Sequence, residues 1–197
     1  MKETTGTVGA LLLAAGFSRR FGDVKLRARL HNGSTVFSQT LARLAAATPN
    51  ILVVTRDDLP DVTLTVEQLG STTVRAVVCP DSHLGMGHTL AFGMNRIPNW
   101  DACLVCLGDM PFISTATYRQ LLDALRSDAI TLPRIEGQIG NPAGFGSDFY
   151  PALRKVLGDT GGREVVQANR ERIQYITVPD SAVLQDIDTP EDLARLQ

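Results

Sequence analysis

The sequence has little excess charge and no long apolar segment. Its 197 residues carry a net charge of −2, and no five consecutive residues share one sign of charge. This balance gives no electrostatic reason to expect a nucleic acid or a membrane surface as a partner. No apolar run approaches the length of about 18 residues that a transmembrane helix needs, so we expect no membrane span.

Cysteine is scarce as well. The chain has three cysteines, Cys79, Cys103 and Cys106, and this odd number, without a recognisable secretory signal, predicts reduced thiols in a cytoplasmic protein. Cys103 and Cys106 form a CxxC pattern inside the apolar run Ala102 to Leu107. A spacing of three places them on opposite faces of a strand. We therefore interpret them as buried strand residues rather than as a redox or metal-binding pair.

Two common phosphate-binding motifs are absent. GxGxxG would need glycine where Ser18 and Phe21 stand, and GxxxxGK[ST] does not occur. The chain therefore has neither a dinucleotide-binding Rossmann fingerprint nor a P-loop. Its composition, 44% apolar and 20% charged, is ordinary for a soluble globular protein, and its length predicts one domain spanning residues 1–197.

The stretch from Leu11 to Lys25 is the most informative part of the chain. The apolar run Val8 to Ala15, interrupted only by Gly9, predicts a strand that is buried on both faces. This strand breaks into a basic loop that contains glycine. Because open α/β sheets bind ligands outside the carboxyl ends of their strands, the loop is a candidate ligand site.

The side chains of this loop suit a polyphosphate. Arg19, Arg20 and Lys25 place three positive charges within seven residues. Arginine can contact a phosphate through two hydrogen bonds, and lysine acts as a point charge. Gly16 permits close approach of an anion to the backbone, and Ser18 can donate to phosphate oxygens. We interpret the loop as a triphosphate-binding loop; the alternative is a solvated connection after a core strand.

Further elements follow along the chain. Strands are predicted at Ile51 to Thr55, Val74 to Cys79, Ala102 to Leu107, Ile130 to Ile135, Asn141 to Phe145 and Ile173 to Val178. Ser34 is a candidate N-cap of the next helix, Ser114 caps a helix that runs to about Arg126, and Thr189 with Pro190 begins the last helix. Helices therefore alternate with strands over most of the chain.

Two glycine-containing segments precede predicted helices. Gly85-Met86-Gly87 opens onto a helix N-terminus, which favours anions or polar base edges. Gly158 to Arg163 forms a second such segment, which can hold an acceptor phosphate or serve as a plain helix–helix linker. His83 and His88 are five residues apart, and we interpret them as loop or capping residues rather than as metal ligands.

Acidic residues stand at the ends of two predicted strands. Asp109 follows Gly108 at the end of a central strand, where a carboxylate can hold Mg²⁺; the alternative is an aspartate in a strand-to-helix turn. Asp186 and Asp188 flank Ile187 and would share one face of a strand. Two adjacent negative charges are unfavourable without a cation.

The segment LAAGFSRRFGDVK, residues 13–25, resembles the signature LAAGxSxRMGxxK of the MobA-like nucleotidyltransferases. These include the molybdenum cofactor cytidylyltransferases and guanylyltransferases. Phe21 replaces the methionine of the signature. Val24 stands where related sugar-phosphate and isoprenoid enzymes usually carry proline, which favours the molybdopterin branch. The segments GMGHTLAFG, GDMP, GNP, GDTGGR and DIDTPEDL also resemble family motifs.

The resemblance implies a set of site residues. The residues implied to bind the nucleotide are Leu13, Ala14, Ala15, Gly16, Ser18, Arg20, Lys25, Gly85, Gly87, Thr89 and Asp109. Those implied to bind the acceptor are Asn141, Pro142, Gly161 and Arg163. The implied catalytic residues are Arg20, Lys25 and Asp109. Asp109 and Asp188 are the implied Mg²⁺ ligands, with Asp186 as the second choice for the latter position.

The resemblance also implies a fold and a reaction. The expected fold is a Rossmann-like three-layer α/β/α sandwich with a mostly parallel sheet, of the nucleotide-diphospho-sugar transferase type. The expected reaction moves CMP from CTP to the phosphate of molybdopterin, with LAAG favouring CTP over GTP. The cofactor product would serve a molybdenum hydroxylase. Alternatives are a guanylyltransferase, an enzyme acting on another phosphorylated small molecule, and a non-catalytic protein that binds and delivers a cofactor.

Overall fold

A single mostly parallel sheet forms the centre of the fold in the computed structural model, which describes residues 6–18 and 20–197. Its strands are β1 (Val8–Leu13), β2 (Ile51–Thr55), β3 (Val74–Val78), β4 (Ala102–Leu107), β5 (Ile130–Ile135), β6 (Gln138–Ile139), β7 (Ala143–Gly146) and β8 (Ile173–Thr177). The helices are α1 (Val36–Ala45), α2 (Pro60–Glu67), α3 (Met86–Met94), α4 (Thr115–Asp123), α5 (Tyr150–Leu153), α6 (Arg163–Ala168) and α7 (Pro190–Leu196). None of these helices has both the length and the apolar character needed to cross a bilayer.

The strand order is β3-β2-β1-β4-β7-β5, and both β6 and β8 pair with β5. The pairs β1–β2, β2–β3, β1–β4 and β5–β8 are parallel, whereas β7 runs antiparallel to both β4 and β5. The chain extends the sheet from β1 toward β3 and later resumes on the other side of β1 with β4. Strand order therefore reverses at β1 and β4, where open α/β sheets form a ligand crevice.

Helices cover both faces of the sheet. On one face Leu12 of β1 packs in a cluster with side chains of α1, α2 and α4, including the fully buried Tyr118. On the other face Leu11 packs in a cluster with side chains of α3, α5 and α6, including Leu90. Because alternate residues of β1 point to opposite faces, its apolar run serves both cores. The expected three-layer α/β/α sandwich is confirmed.

The two cysteines of β4 lie on opposite faces of the sheet, as the sequence predicts. Cys103 belongs to the α3 side of the core and Cys106 to the α1 side. Burial raises the pKa of Cys103 to about 12 and that of Cys106 well above its ordinary value. Since thiolates are the reactive and metal-binding form, both thiols are inert core residues.

Helix starts agree with the sequence at two positions and differ at one. Ser114 caps α4, which ends at Asp123 rather than near Arg126, and Thr189 caps α7. The predicted N-cap Ser34 is wrong, because Thr35 caps α1. The Thr35 hydroxyl accepts from the Ser38 N–H and the Ser38 hydroxyl accepts from the Thr35 N–H, a reciprocal pair that Ser34 cannot form.

Candidate active site

A cleft of about 410 Å³ opens at the carboxyl ends of β1 and β4. Its walls come from the loop after β1, the start of α3, the end of β4, the segment before α6 and the segment before α7. These are distant parts of the sequence, and the parallel sheet brings their ends to one edge. Ten of the eleven predicted nucleotide-binding residues line this cleft, and Gly87 is the exception.

The loop after β1 is fixed to the sheet at its start and closed on itself at its end. The Ala14 N–H donates to the Val54 carbonyl at 2.8 Å, which continues the pairing with β2 past the last strand residue. Ser18 has a φ of 50° and accepts a hydrogen bond at its Oγ from the Lys25 N–H at 3.2 Å. The Ser18 side chain therefore closes the loop and places Lys25 at the cleft. Arg19 lies outside the described residues.

Lys25 bridges two of the predicted metal ligands. Its Nζ lies 2.6 Å from Asp109 Oδ2 and 2.9 Å from Asp188 Oδ1. The side chains of Lys25 and Asp109 are 12% and 14% exposed, so both charges are largely removed from solvent. Burial lowers the pKa of Lys25, but the carboxylates of Asp109 and Asp188 outweigh it and raise the pKa above its usual value. The ammonium group is therefore held in its charged form.

Three carboxylates converge beside this lysine. One oxygen each of Asp109, Asp186 and Asp188 lies within 4.8 Å of the others. Burial raises the pKa of Asp109, and the negative charge of Asp186 adds to the effect, while Lys25 opposes it. Asp109 Oδ1 is buried without a hydrogen-bond partner among the described residues. Oxygen donors of this kind fit a hard divalent cation, which would supply the missing partner.

A main-chain contact brings the two distant acidic segments together. The Ile187 N–H donates to the Asp109 carbonyl at 3.1 Å, and the Ile187 side chain is fully buried. Asp186 and Asp188 therefore lie on either side of a fixed point and both reach the cleft. The prediction that they lie on a strand is wrong, because this segment is irregular and follows a 3₁₀ turn over Ser181–Leu184.

Arg20 completes the charged wall of the cleft. Its Nη1 lies 2.6 Å from Asp188 Oδ2, and its side chain is 77% exposed. Solvent screens such a pair, so its contribution to stability is small. The cluster of three carboxylates and the two cations Lys25 and Arg20 therefore lie together in one cleft, and the guanidinium is exposed to solvent.

The start of α3 forms the opposite wall. Gly85 has a φ of 114°, a backbone conformation that side-chain-bearing residues rarely adopt. Thr89 lines the cleft and its hydroxyl donates to the Gly85 carbonyl at 3.3 Å. Gly87 faces away from the cleft: its N–H donates to the Gly158 carbonyl at 2.6 Å, and an added Cβ would lie 2.6 Å from the Leu157 carbonyl oxygen.

The predicted acceptor-binding residues do not line the cleft. Asn141 and Pro142 begin the approach to β7, where the Asn141 N–H donates to the Val183 carbonyl at 2.8 Å. Arg163 is exposed at the start of α6. Gly161 comes near the cleft, since a Cβ there would lie 3.2 Å from the sulfur of Met86, which lines it.

Sequence reasoning missed several side chains that line the cleft: Phe17, Ser82, His83, Met86 and Asp159. Asp159 belongs to the second glycine-containing segment, and its carboxylate comes close to Gly85. Its position between Gly158 and Gly161 in that segment could have identified Asp159 as a candidate site residue. Phe17 occupies one of the variable positions of the loop signature, and for that reason the pattern gave no indication of its role.

Comparisons with known proteins agree with this geometry. The chain is 28% identical to the purine catabolism protein PucB of Bacillus subtilis over 194 residues, which cover 92% of each chain. The crystal structure of Rv0371c from Mycobacterium tuberculosis matches with a TM-score of 0.80 at 26% identity, covering 98% of each chain. Its complex with manganese matches with a TM-score of 0.77 at 24% identity, covering 96% of this chain and 97% of the other.

A nucleotidyl transferase from Methanothermobacter has the same fold, with a TM-score of 0.81 at 22% identity over 96% of this chain and 95% of the other. A family model described as the MobA-like NTP transferase domain matches residues 10–173. The match includes the loop after β1, the start of α3 and the end of β4, which form most of the cleft. This chain therefore belongs to the MobA-like NTP transferase family and is a nucleotidyltransferase of that type.

Proposed function

We propose that this protein transfers a cytidylyl group from CTP to the phosphate of a molybdopterin-type acceptor and releases pyrophosphate. The observation that carries the proposal is the convergence of Lys25, Asp109 and Asp188 in one cleft, with N–O distances of 2.6 and 2.9 Å. Cations suited to a triphosphate and carboxylates suited to a divalent cation occur side by side there. A metal–triphosphate complex carries both of the matching charges.

The bond changes require little acid–base chemistry. A phosphate oxygen of the acceptor attacks the α-phosphorus of CTP and forms a new P–O bond. The bond from the α-phosphorus to the bridging oxygen breaks, and its electron pair leaves with pyrophosphate. Because the second pKa of a phosphate monoester is about 6, the attacking oxygen is already ionised at neutral pH. Positioning and charge neutralisation can therefore account for most of the catalysis.

The residues of the cleft have different roles in this reaction. Lys25 and Arg20 exchange their carboxylate partners for triphosphate oxygens and neutralise them. Gly16 lets the backbone approach the phosphates, and no described atom beyond its chain neighbours lies within 4 Å of the position where its Cβ would be. Asp109 and Asp188, with Asp186 beside them, would hold Mg²⁺, which neutralises charge on the phosphate oxygens when bound.

Base choice rests on the loop after β1. Ala15 is buried and lines the cleft. In the resembling signature this alanine accompanies cytidylyl transfer, whereas a glycine accompanies guanylyl transfer. One methyl group in a pocket is worth about 1–3 kcal/mol of discrimination, so we expect a preference for CTP with measurable residual use of GTP.

The acceptor side is proposed to be the edge formed by the second glycine-containing segment, residues 158–163. Asp159 borders the cleft there, and Gly161 lies against Met86. The acceptor's phosphate would enter past this edge toward Lys25. We propose further that the chain acts as one domain in the cytoplasm and that the resulting dinucleotide cofactor is received by a molybdenum hydroxylase.

One assay tests the proposal. Pyrophosphate release is measured with CTP or GTP, with Mg²⁺ or Mn²⁺, and with or without molybdopterin loaded with molybdenum. Manganese is included because the similar Rv0371c was crystallised with it. Release from CTP that requires the acceptor supports the whole proposal, and release from GTP alone contradicts the argument from Ala15. Release from neither nucleotide contradicts this acceptor, and tight CTP binding without turnover would favour a delivery protein.

A further inference from the structure

The proposed chemistry leaves an exposed apolar ring of the cleft unused. Phe17 lies between Gly16 and Ser18 in the loop after β1, lines the cleft and is 42% exposed. The guanidinium carbon of Arg56 lies 4.2 Å from the centroid of this ring. Arg56 follows directly after β2, and only 5% of its surface is exposed. A buried cation thus lies under an exposed aromatic ring at the ligand-binding edge of the sheet.

Burial of the Arg56 guanidinium costs free energy that its contacts must offset. A buried charge loses its hydration, and the ion partner of Arg56 is Asp58 at 3.1 Å, whose side chain is 60% exposed and therefore screened. The Phe17 ring provides the other favourable contact, a cation–π interaction. Exposure of the Phe17 ring to water does not stabilise the protein. The contact with Arg56 does, however, restrain the ring, so that it presents a fixed apolar surface at the cleft.

We propose that Phe17, held by Arg56, is the stacking platform for the nucleobase of the bound nucleotide. This inference rests on the proposed binding of a nucleoside triphosphate in the cleft. The phosphates have their own partners in Lys25 and Arg20, whereas the base needs a flat apolar surface. Two exposed rings line the cleft among the described residues, Phe17 and the polar His83, and Phe17 is the apolar one. Phe17 is a binding residue, and Arg56 is a positioning residue.

Stacking on an aromatic side chain tolerates every base, because each base has a π face. Phe17 should therefore strengthen binding of CTP and GTP alike, while the choice between them belongs to other residues such as Ala15. The expected loss on removing the ring is about 5- to 150-fold in affinity, the range measured for base–aromatic stacking. Binding of the triphosphate group alone should be unaffected.

Equilibrium binding tests the platform. Dissociation constants are measured by calorimetry, with Mg²⁺ present, for CTP, GTP and tripolyphosphate. We expect Phe17→Leu to weaken CTP and GTP to similar extents and to leave tripolyphosphate unchanged. The matched control is Tyr175→Leu, which removes a ring that is 41% exposed and lies 5.0 Å from the Arg134 guanidinium, on β8 and outside the cleft. This control should bind all three ligands normally.

A second variant gives an optical signal that does not depend on loss of affinity. Phe17→Trp keeps an aromatic platform, and its fluorescence should be quenched by CTP but not by tripolyphosphate; the native Trp100 is buried and supplies a constant background. Arg56→Met should weaken CTP binding, with near-ultraviolet circular dichroism to check the fold. Equal losses for CTP and tripolyphosphate in Phe17→Leu, or no quenching in Phe17→Trp, would overturn the platform. Failure of the wild-type protein to bind tripolyphosphate or CTP would overturn the proposed function itself.

Discussion

Replacing Asp109 by asparagine isolates the electrostatics of the cleft. The variant keeps the shape of the side chain and removes one of three negative charges. At an effective dielectric constant of about 20, the repulsion of Asp109 with each of Asp186 and Asp188 is about 3.5 kcal/mol at 4.8 Å, which is the upper limit of their separation, and its attraction to Lys25 over 2.6 Å is about 6 kcal/mol. These energies nearly cancel. We therefore expect the free energy of unfolding without a divalent cation to change by less than about 2 kcal/mol.

The response to a divalent cation should change far more. A cation at about 100 times its Kd stabilises a folded protein by about 2.7 kcal/mol, and for a chain of this length that raises Tm by about 5–11 °C. If Asp109→Asn weakens the cation about a hundredfold, the same concentration contributes about 0.4 kcal/mol, or about 1–2 °C. The loss of the ion-dependent shift is thus easily measured, even though the variant itself is stable.

Thermal unfolding at saturating nucleotide in EDTA, in Mg²⁺ and in Mn²⁺ gives the comparison, together with turnover. Asp159→Asn is the matched control, because Asp159 lines the cleft but lies outside the three-carboxylate cluster. It should keep the cation-dependent rise in Tm. If Asp109→Asn keeps the full rise, or more than about a tenth of the wild-type turnover, the assignment of Asp109 as a metal ligand is refuted.

Three further predictions concern other parts of the fold. Lys25→Met should lower turnover at least about a hundredfold in steady-state assays, while Lys25→Arg, which keeps the charge, should lose less. Burial opposes ionisation of Asp180, but hydrogen bonds such as that from the Ser114 N–H outweigh it and lower its pKa. The stabilisation that Asp180 contributes is therefore present above the unfolded pKa of about 3.9 and is lost as pH falls through the lower folded value. In Asp180→Asn, the free energy of unfolding measured in urea should therefore depend less on pH in the acid range. Gly87→Ala places a Cβ 2.6 Å from the Leu157 carbonyl oxygen and should cost about 1–3 kcal/mol in urea unfolding, whereas Gly16→Ala, with open space, should not.

The parts of the fold that follow from local patterns were predictable. The bounds of β2 and β4 agree with the apolar runs that predict them. Buried parallel strands are continuous apolar runs, so their limits are visible in the sequence. The opposite faces of Cys103 and Cys106 follow from the two-residue period of a strand. Thr189 followed by Pro190 is a helix start for reasons that involve only neighbouring residues.

The parts that depend on contacts between distant segments were not predictable. Asp186 and Asp188 reach Asp109 because the Ile187 N–H bonds to the Asp109 carbonyl, and no local pattern encodes that contact. The sequence suggested a strand for this segment. The structure has no strand there, but the two acidic side chains still lie on either side of one buried residue. Ser34 and Thr35 are both good N-caps, and the position of Ser38 three residues after Thr35 decides between them.

From the paired charges of the cleft we expect cation and triphosphate to bind together. Lys25 contacts Asp109 and Asp188, and Arg20 contacts Asp188, so the two carboxylates proposed as the main metal ligands already have cationic partners. A cation binding alone would come close to the Lys25 ammonium, and like charges repel at that range. A triphosphate binding alone would draw Lys25 and Arg20 away and leave the carboxylates unpaired beside the phosphates. When both ligands enter, each of these paired charges exchanges one partner for another, so each ligand should raise the affinity for the other by the same factor.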